Sequence, residues 1–361
     1  MSKPNHPYAD LPSTSYWARG VARPKLEEID PVVGDVFRIE KHQKVATAGS
    51  CFAQHIARYL KNSGFNYYVA EEGHSIAPKE NLDAYNYGTF SARYGNIYTV
   101  RQLLQLYRYA FGLTPPSEEV WSEKSGGWLD PLRPLIQPGG FRTLEELKLD
   151  RSQHLEHVKK MFVEVDYFIF TLGLTESWIN VESGMVYPMC PGVAGGSFQE
   201  EKHQFKNFSV REVVADFEEF LSLLKKVNTE IKVILTVSPV PLVATATKNH
   251  VINATFYSKS VLRVAAQELA DKNKDIVYFP SYEIITGNFT RGQYFSEDLR
   301  SVKEEGVEHV MRVFMRHFTN NPEIAASKPE AVDHNDIKSF ELENARVAQV
   351  VCEEAKYDDE T

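Results

Sequence analysis

From Lys44 onward the chain alternates short apolar runs with amphipathic stretches, the pattern that builds βα units around a mainly parallel sheet. The first unit is the clearest. Residues 45–48 read as a strand, Gly49-Ser50 as its turn, and Phe52, Ile56, Tyr59 and Leu60 share one helical face before Gly64 stops the helix. Further strands are expected over 65–70, 167–172, 233–237 and 276–279. Helices are expected over 144–162, 210–227, 252–270 and 304–318, the last carrying Val307, Val310, Met311 and Phe314 at helical spacing. About five parallel strands result, in an α/β domain over residues 41–320, preceded by an N-terminal extension (1–40) and followed by a tail (321–361).

Two long segments, 71–141 and 174–208, break the alternation and are rich in Gly, Pro, Tyr and Trp. Loops of that length in a compact domain are usually functional or disordered. Aromatics such as Tyr85, Tyr87, Phe90, Tyr94, Tyr98, Trp121 and Trp128 argue against disorder, so 71–141 is expected as a cap insertion packed over the edge where open α/β sheets bind ligands. Extra core is the competing reading. The tail between Pro329 and Thr361 holds ten acids against three bases, a net of −7, which leaves −2 of the total −9 for everything before it. No basic stripe is left to displace counterions from nucleic-acid phosphates. Residues 336–356 are expected as an exposed helix and 357–361 as a frayed end.

No apolar run reaches the roughly 18–20 residues of a membrane helix, and residues 1–20 lack an apolar secretory core, so a cytoplasmic location is the expectation. Cys51, Cys190 and Cys352 are distant from one another and form no C-x-x-C pair, against a disulfide framework or a zinc knuckle. There is no phosphate loop, dinucleotide fingerprint or H-E-x-x-H. Neither a cofactor nor a metal is expected.

The sharpest chemical signal is Thr47-Ala48-Gly49-Ser50-Cys51-Phe52-Ala53. A serine where a strand hands over to a helix stands at the carboxyl edge of the sheet, beside first-turn N–H groups able to stabilise an oxyanion. Such a serine is also a common N-cap. Cys51 is the rival nucleophile, provided its thiol is exposed and readily ionised.

The Gly-Ser-Cys-Phe-Ala string at 49–53 resembles the signature of the GSCFA family, a branch related to the SGNH hydrolases. Phe170-Thr171-Leu172-Gly173, Thr236-Val237-Ser238-Pro239-Val240, Ser258-Lys259-Ser260 and 295–298 resemble its later blocks in order. The resemblance implies a flavodoxin-like three-layer α/β/α sandwich and a nucleophile at Ser50. It also implies oxyanion donors from Gly95 (with Gly88 competing) and from Gly173-Leu174-Thr175, where Thr175 stands in the usual Asn position. Glu176 follows without an assigned role. In the last block SGNH enzymes carry D-x-x-H, the triad's orienter and base; here the string is Asp298-Leu299-Arg300-Ser301. The histidine position is a serine.

Another histidine must then serve, or the site is impaired. His309 lies off the apolar stripe of its helix and reads as solvated. His154 and His157 have an i, i+3 spacing but no evident third ligand, and read as a surface pair. His55 is turned about 140° from Ser50 by helical phase. His250, in the loop leaving the fourth strand, is the expected replacement base, although a histidine at a helix start also contacts backbone. The expected activity is that of an esterase or acyltransferase on O-acyl groups, of a carbohydrate or polysaccharide precursor by family resemblance, with a small-molecule or glycan ester as substrate. The alternative is a glycan-binding module that has lost turnover with its histidine.

Overall fold

The computed structural model describes residues 6–122 and 126–320; the tail, with its expected helix, lies outside them. In chain order the elements are β1 (Val45–Gly49), α1 (Ala53–Asn62), α2 (Lys79–Ala84), α3 (Val100–Ala110), β2 (Trp121–Ser122), β3 (Trp128–Leu129), α4 (Leu144–Glu164), β4 (Tyr167–Leu172), β5 (Glu176–Asn180), β6 (Val186–Tyr187), β7 (His203–Asn207), α5 (Val210–Leu224), β8 (Lys232–Val237), α6 (Val251–Lys272), β9 (Ile276–Phe279), α7 (Ser281–Thr286) and α8 (Glu304–Phe318).

The central sheet runs β1-β4-β8-β9, all parallel. Its strands are apolar on both faces, as a sheet covered on both sides requires. Ala46, Ala48, Phe168, Phe170, Val233 and Leu235 face α3, α4, α5 and α6. Val45, Tyr167, Ile169, Ile234 and Phe279 face α1, α7 and α8. This is the expected three-layer sandwich. Phe162, Phe168, Phe217 and Phe220 meet edge-on and tilted between sheet and helices; truncating one of them to Ala costs about 3–5 kcal/mol.

The sheet has four strands where five were expected. Residues 65–70 meet β1 at a single parallel bridge, Val45 to Tyr67. Further along, the edge of β1 is satisfied by a different segment. The Thr47 N–H donates to Ser91 Oγ (3.1 Å), the Tyr94 hydroxyl donates to the Thr47 carbonyl, and the Ile97 N–H donates to the Gly49 carbonyl (2.8 Å). A strand and a loop compete for one row of backbone groups, and the loop over 91–97 takes its upper half.

The two irregular segments are also more regular than expected. Within 71–141, α3 begins at a capping box between Thr99 and Gln102 and packs on α4 and α5 as part of the helical layer, so much of this segment is core. Within 174–208, β5, β6 and β7 form an antiparallel sheet in the order β6-β5-β7.

Candidate active site

Ser50 follows β1 immediately. Gly49, before it, has φ of +135°, and a Cβ there would lie 2.2 Å from the Thr171 carbonyl oxygen. Only glycine lets β1 and β4 approach this closely while the chain turns. Beyond the turn, the Ala53 N–H bonds the Ser50 carbonyl and α1 begins. The Ser50 side chain caps no helix N–H. It is 4% exposed, and its hydroxyl has no hydrogen-bond partner. The Thr171 hydroxyl, on the residue paired with Gly49, is likewise buried and unpartnered. Leaving a buried hydroxyl unpaired costs about 1–3 kcal/mol, the kind of deficit that collects where a ligand completes the bonding.

Gly173, after β4, packs against Ser50: a Cβ on it would lie 3.1 Å from Ser50 Cβ and 3.1 Å from the Tyr98 carbonyl. The Gly173 and Leu174 N–H groups both donate to that Tyr98 carbonyl at 3.1 Å. Thr175 is fully buried, its N–H donating to Ser258 Oγ (3.0 Å) and its hydroxyl to Asn207 Oδ1 (2.6 Å). Neither Gly173 nor Thr175 therefore holds out a spare donor. Their hydrogen bonds instead fasten the turn that walls one side of Ser50. Gly95 has φ of +69°, two residues before the Ile97 N–H that binds Gly49, and the neighbouring Asn96 is buried. Gly88, its competitor, has φ of +75° and its carbonyl accepts from Lys61 Nζ.

Segments that follow β4, β8 and α7 are bonded to one another. Glu176 is bonded by the Thr245 hydroxyl (2.7 Å) and the Ala246 N–H (3.2 Å), and burial raises its pKa. The 295–302 turn joins them through Arg300, whose Nε donates to the Pro241 carbonyl at 3.2 Å.

His250 and Asp298, the expected base and its orienter, are each bonded within their own turn. His250 is exposed and caps α6, its Nδ1 accepting the Ile252 N–H at 3.2 Å. Asp298 is exposed and folds onto its own turn, accepting the Arg300 N–H (3.0 Å), the Ser301 N–H (2.9 Å) and the Ser301 hydroxyl. Burial alone would raise the Asp298 pKa, but these bonds and the Arg300 charge hold it low. Ser301 thus satisfies this carboxylate from within the same turn.

Two histidines expected at the surface are buried. His309 is 1% exposed, its Nδ1 accepting from the Tyr294 hydroxyl (2.7 Å) and its Nε2 donating to the Ile29 carbonyl (2.7 Å). Burial, against the pull of the Ile29 bond, pushes its pKa down to about 4. The side of α8 away from the sheet is covered by the N-terminal segment, which helical phase alone does not reveal. His154 is buried beside Glu71, Nδ1 to Oε2 2.6 Å, under the Arg93, Arg133, Arg151, Asp130 and Asp150 ion pairs. Burial works to raise the Glu71 pKa, but His154, Arg133 and the Arg93 N–H hold it down to about 2. His55 accepts from Arg58 (3.1 Å), and burial together with Arg58 lowers its pKa to about 3. Cys51 is half-buried. Among the described residues, no three His, Cys, Asp or Glu side chains are grouped to hold a metal ion, and no helix is long and apolar enough to cross a membrane.

Sequence reasoning missed Lys259. It is 2% exposed on α6, and its Nζ donates to the Gly173 carbonyl at 2.6 Å. Its signal in the sequence was its place in the Ser258-Lys259-Ser260 string, on a helix expected over 252–270.

A mainly parallel α/β sandwich with a buried, unpartnered serine at the first strand-to-helix turn defines a class of α/β protein built around that turn. A sequence model of the GSCFA family matches residues 44–314, and the chain belongs to that family. No curated protein matches the chain.

Proposed function

We propose that the protein is a serine-dependent esterase or acyltransferase acting on O-acyl groups, of the kind the SGNH hydrolases carry out, with Ser50 as nucleophile. One observation carries this reading: the Ser50 hydroxyl is buried at the carboxyl edge of the sheet, caps no helix N–H and has no hydrogen-bond partner. A serine kept only for capping would bond its helix. The chemistry is attack of Ser50 Oγ on an ester carbonyl, loss of the alcohol, and transfer of the acyl group from the serine to water or to a sugar hydroxyl. A carbohydrate ester suits the aromatic group of Trp178, Phe198 and Phe205 on and beside the small antiparallel sheet that starts three residues after Gly173.

Within this reading Gly173 and Thr175 shape the wall behind Ser50, Gly95 sits in the loop bonded to β1, and Asp298 closes the 295–302 turn. His250 enters the chemistry only by giving up its cap. The test is intact-mass analysis after exposure to an alkyl fluorophosphonate: the Ser50 oxygen bonds phosphorus, fluoride leaves, and the hydroxyl proton goes to solvent. One adduct mapped to Ser50, absent in Ser50→Ala, supports the nucleophile. An adduct on Cys51, or none, refutes it.

The second reading is a binding module of the same fold that has lost turnover. It is favoured by the exposed, helix-capping His250 and by Ser301 occupying Asp298. Saturable binding of an acylated oligosaccharide by a chain that forms no Ser50 adduct would establish it.

A further inference from the structure

Burying a lysine is unfavourable unless its ammonium is well bonded, and helix α6 puts one against the turn that touches Ser50. Consecutive residues of that helix grip both ends of the turn. Ser258 Oγ accepts the Thr175 N–H at 3.0 Å, and Lys259 Nζ donates to the Gly173 carbonyl at 2.6 Å. Gly173 in turn is the residue packed on Ser50, too close for even a methyl group to enter without something shifting. A helix that needed only to pack here would use an apolar side chain of the same length, as its neighbours Val261 and Leu262 do.

We propose that Lys259 is a positioning residue for Ser50: its ammonium, fixed on the Gly173 carbonyl, holds the 173–175 turn against the serine and sets a positive charge beside the place where an oxyanion forms. This rests on the reading of Ser50 as the nucleophile. Ammonium bonds are charge-assisted and stronger than neutral ones, and in a site shielded from water a nearby cation stabilises developing negative charge far more than it does in bulk solvent. Lys259 acts through the turn and through its field, so its removal changes the rate at which Ser50 reacts and leaves reversible binding nearly as it was.

The experiment measures the saturation kinetics of Ser50 phosphonylation by an alkyl fluorophosphonate in the full chain, separating the maximal rate from the half-saturating concentration. Lys259→Met keeps the volume and removes the charge; it is expected to lower the maximal rate by about 100-fold, the scale of losing one oxyanion-stabilising group, with the half-saturating concentration within about threefold. Lys259→Ala, assayed with ethylammonium or with 1-propanol, separates charge from packing. Recovery of tenfold or more with the amine alone supports the proposal, and equal recovery with both overturns it in favour of simple space-filling. A Lys259→Met rate within about threefold of the parent also overturns it while leaving Ser50 in its role. If the parent chain itself forms no Ser50 adduct, the nucleophile reading fails, and the role of Lys259 falls with it.

Discussion

Gly49→Ala is the substitution that most directly tests why Ser50 stands where it does. A Cβ at this position would lie 2.2 Å from the Thr171 carbonyl oxygen and 2.7 Å from the Thr171 nitrogen. These are backbone atoms and cannot rotate away, so β1 and β4 must part at the end of their register. The φ of +135° adds strain of about 1–3 kcal/mol for any side chain, and the forced separation adds about 1–3 kcal/mol as overpacking. Parting the strands also loosens the Ser50 N–H bond to the Thr171 carbonyl (3.2 Å) and the Ile97 N–H bond to the Gly49 carbonyl (2.8 Å), each worth about 1 kcal/mol. The expected loss is about 4–8 kcal/mol, a large part of the about 5–15 kcal/mol that holds a typical domain together. Gly34→Ala is the control, because Gly34 has φ of +83° but nothing within 4 Å of a Cβ; it isolates strain without contact and should cost about 1–2 kcal/mol. Urea unfolding followed by tryptophan fluorescence measures both, with the slope checked for constancy. A Gly49→Ala loss within about 1 kcal/mol of the Gly34→Ala loss would refute the close-approach argument.

Ser50→Ala removes a buried hydroxyl that bonds nothing, so thermal melting should show stability unchanged or raised by up to about 1 kcal/mol while the fluorophosphonate adduct disappears; a loss above about 2 kcal/mol would mean the hydroxyl has a structural partner. Arg133→Met leaves Asp130 buried with only Arg151 beside it and takes one partner from Asp150; it should cost about 3–5 kcal/mol by urea unfolding. Acidification should weaken the fold in two stages. His309, lowered to about 4 in the folded state, favours folding above the unfolded histidine range; that contribution, on the order of 3 kcal/mol at about 1.4 per pH unit, is lost between about pH 6.5 and 4, and His309→Phe should remove this share of the stage while the shares of His55 and His154, which burial also lowers, remain. Glu71 and Asp130, held at about 2, stabilise above about pH 4 and give this up as pH falls toward 2, a stage that should persist in the His309 variant.

The amino-acid order alone determined the sandwich. Apolar runs at β1, β4, β8 and β9 with amphipathic helices between them permit little but a parallel sheet covered on both faces, and Gly49-Ser50 marks the first turn without any coordinates. The family signature was legible for the same reason, since it is local. What the tertiary structure alone decided lies where distant segments compete for one partner. Residues 65–70 carry the apolar pattern of a fifth strand, yet the Ser91 and Tyr94 side chains and the Ile97 N–H take the hydrogen bonds at the upper edge of β1, a substitution for a strand that no periodicity reveals. His309 reads as solvated on its helix until the N-terminal segment supplies the Ile29 carbonyl 280 residues away. Lys259 stands in the sequence only as part of the Ser258-Lys259-Ser260 string, with no role until folding brings the Gly173 carbonyl to it. Propensity and spacing describe each segment against water, whereas a buried polar group is decided by the one partner that folding places within hydrogen-bond reach.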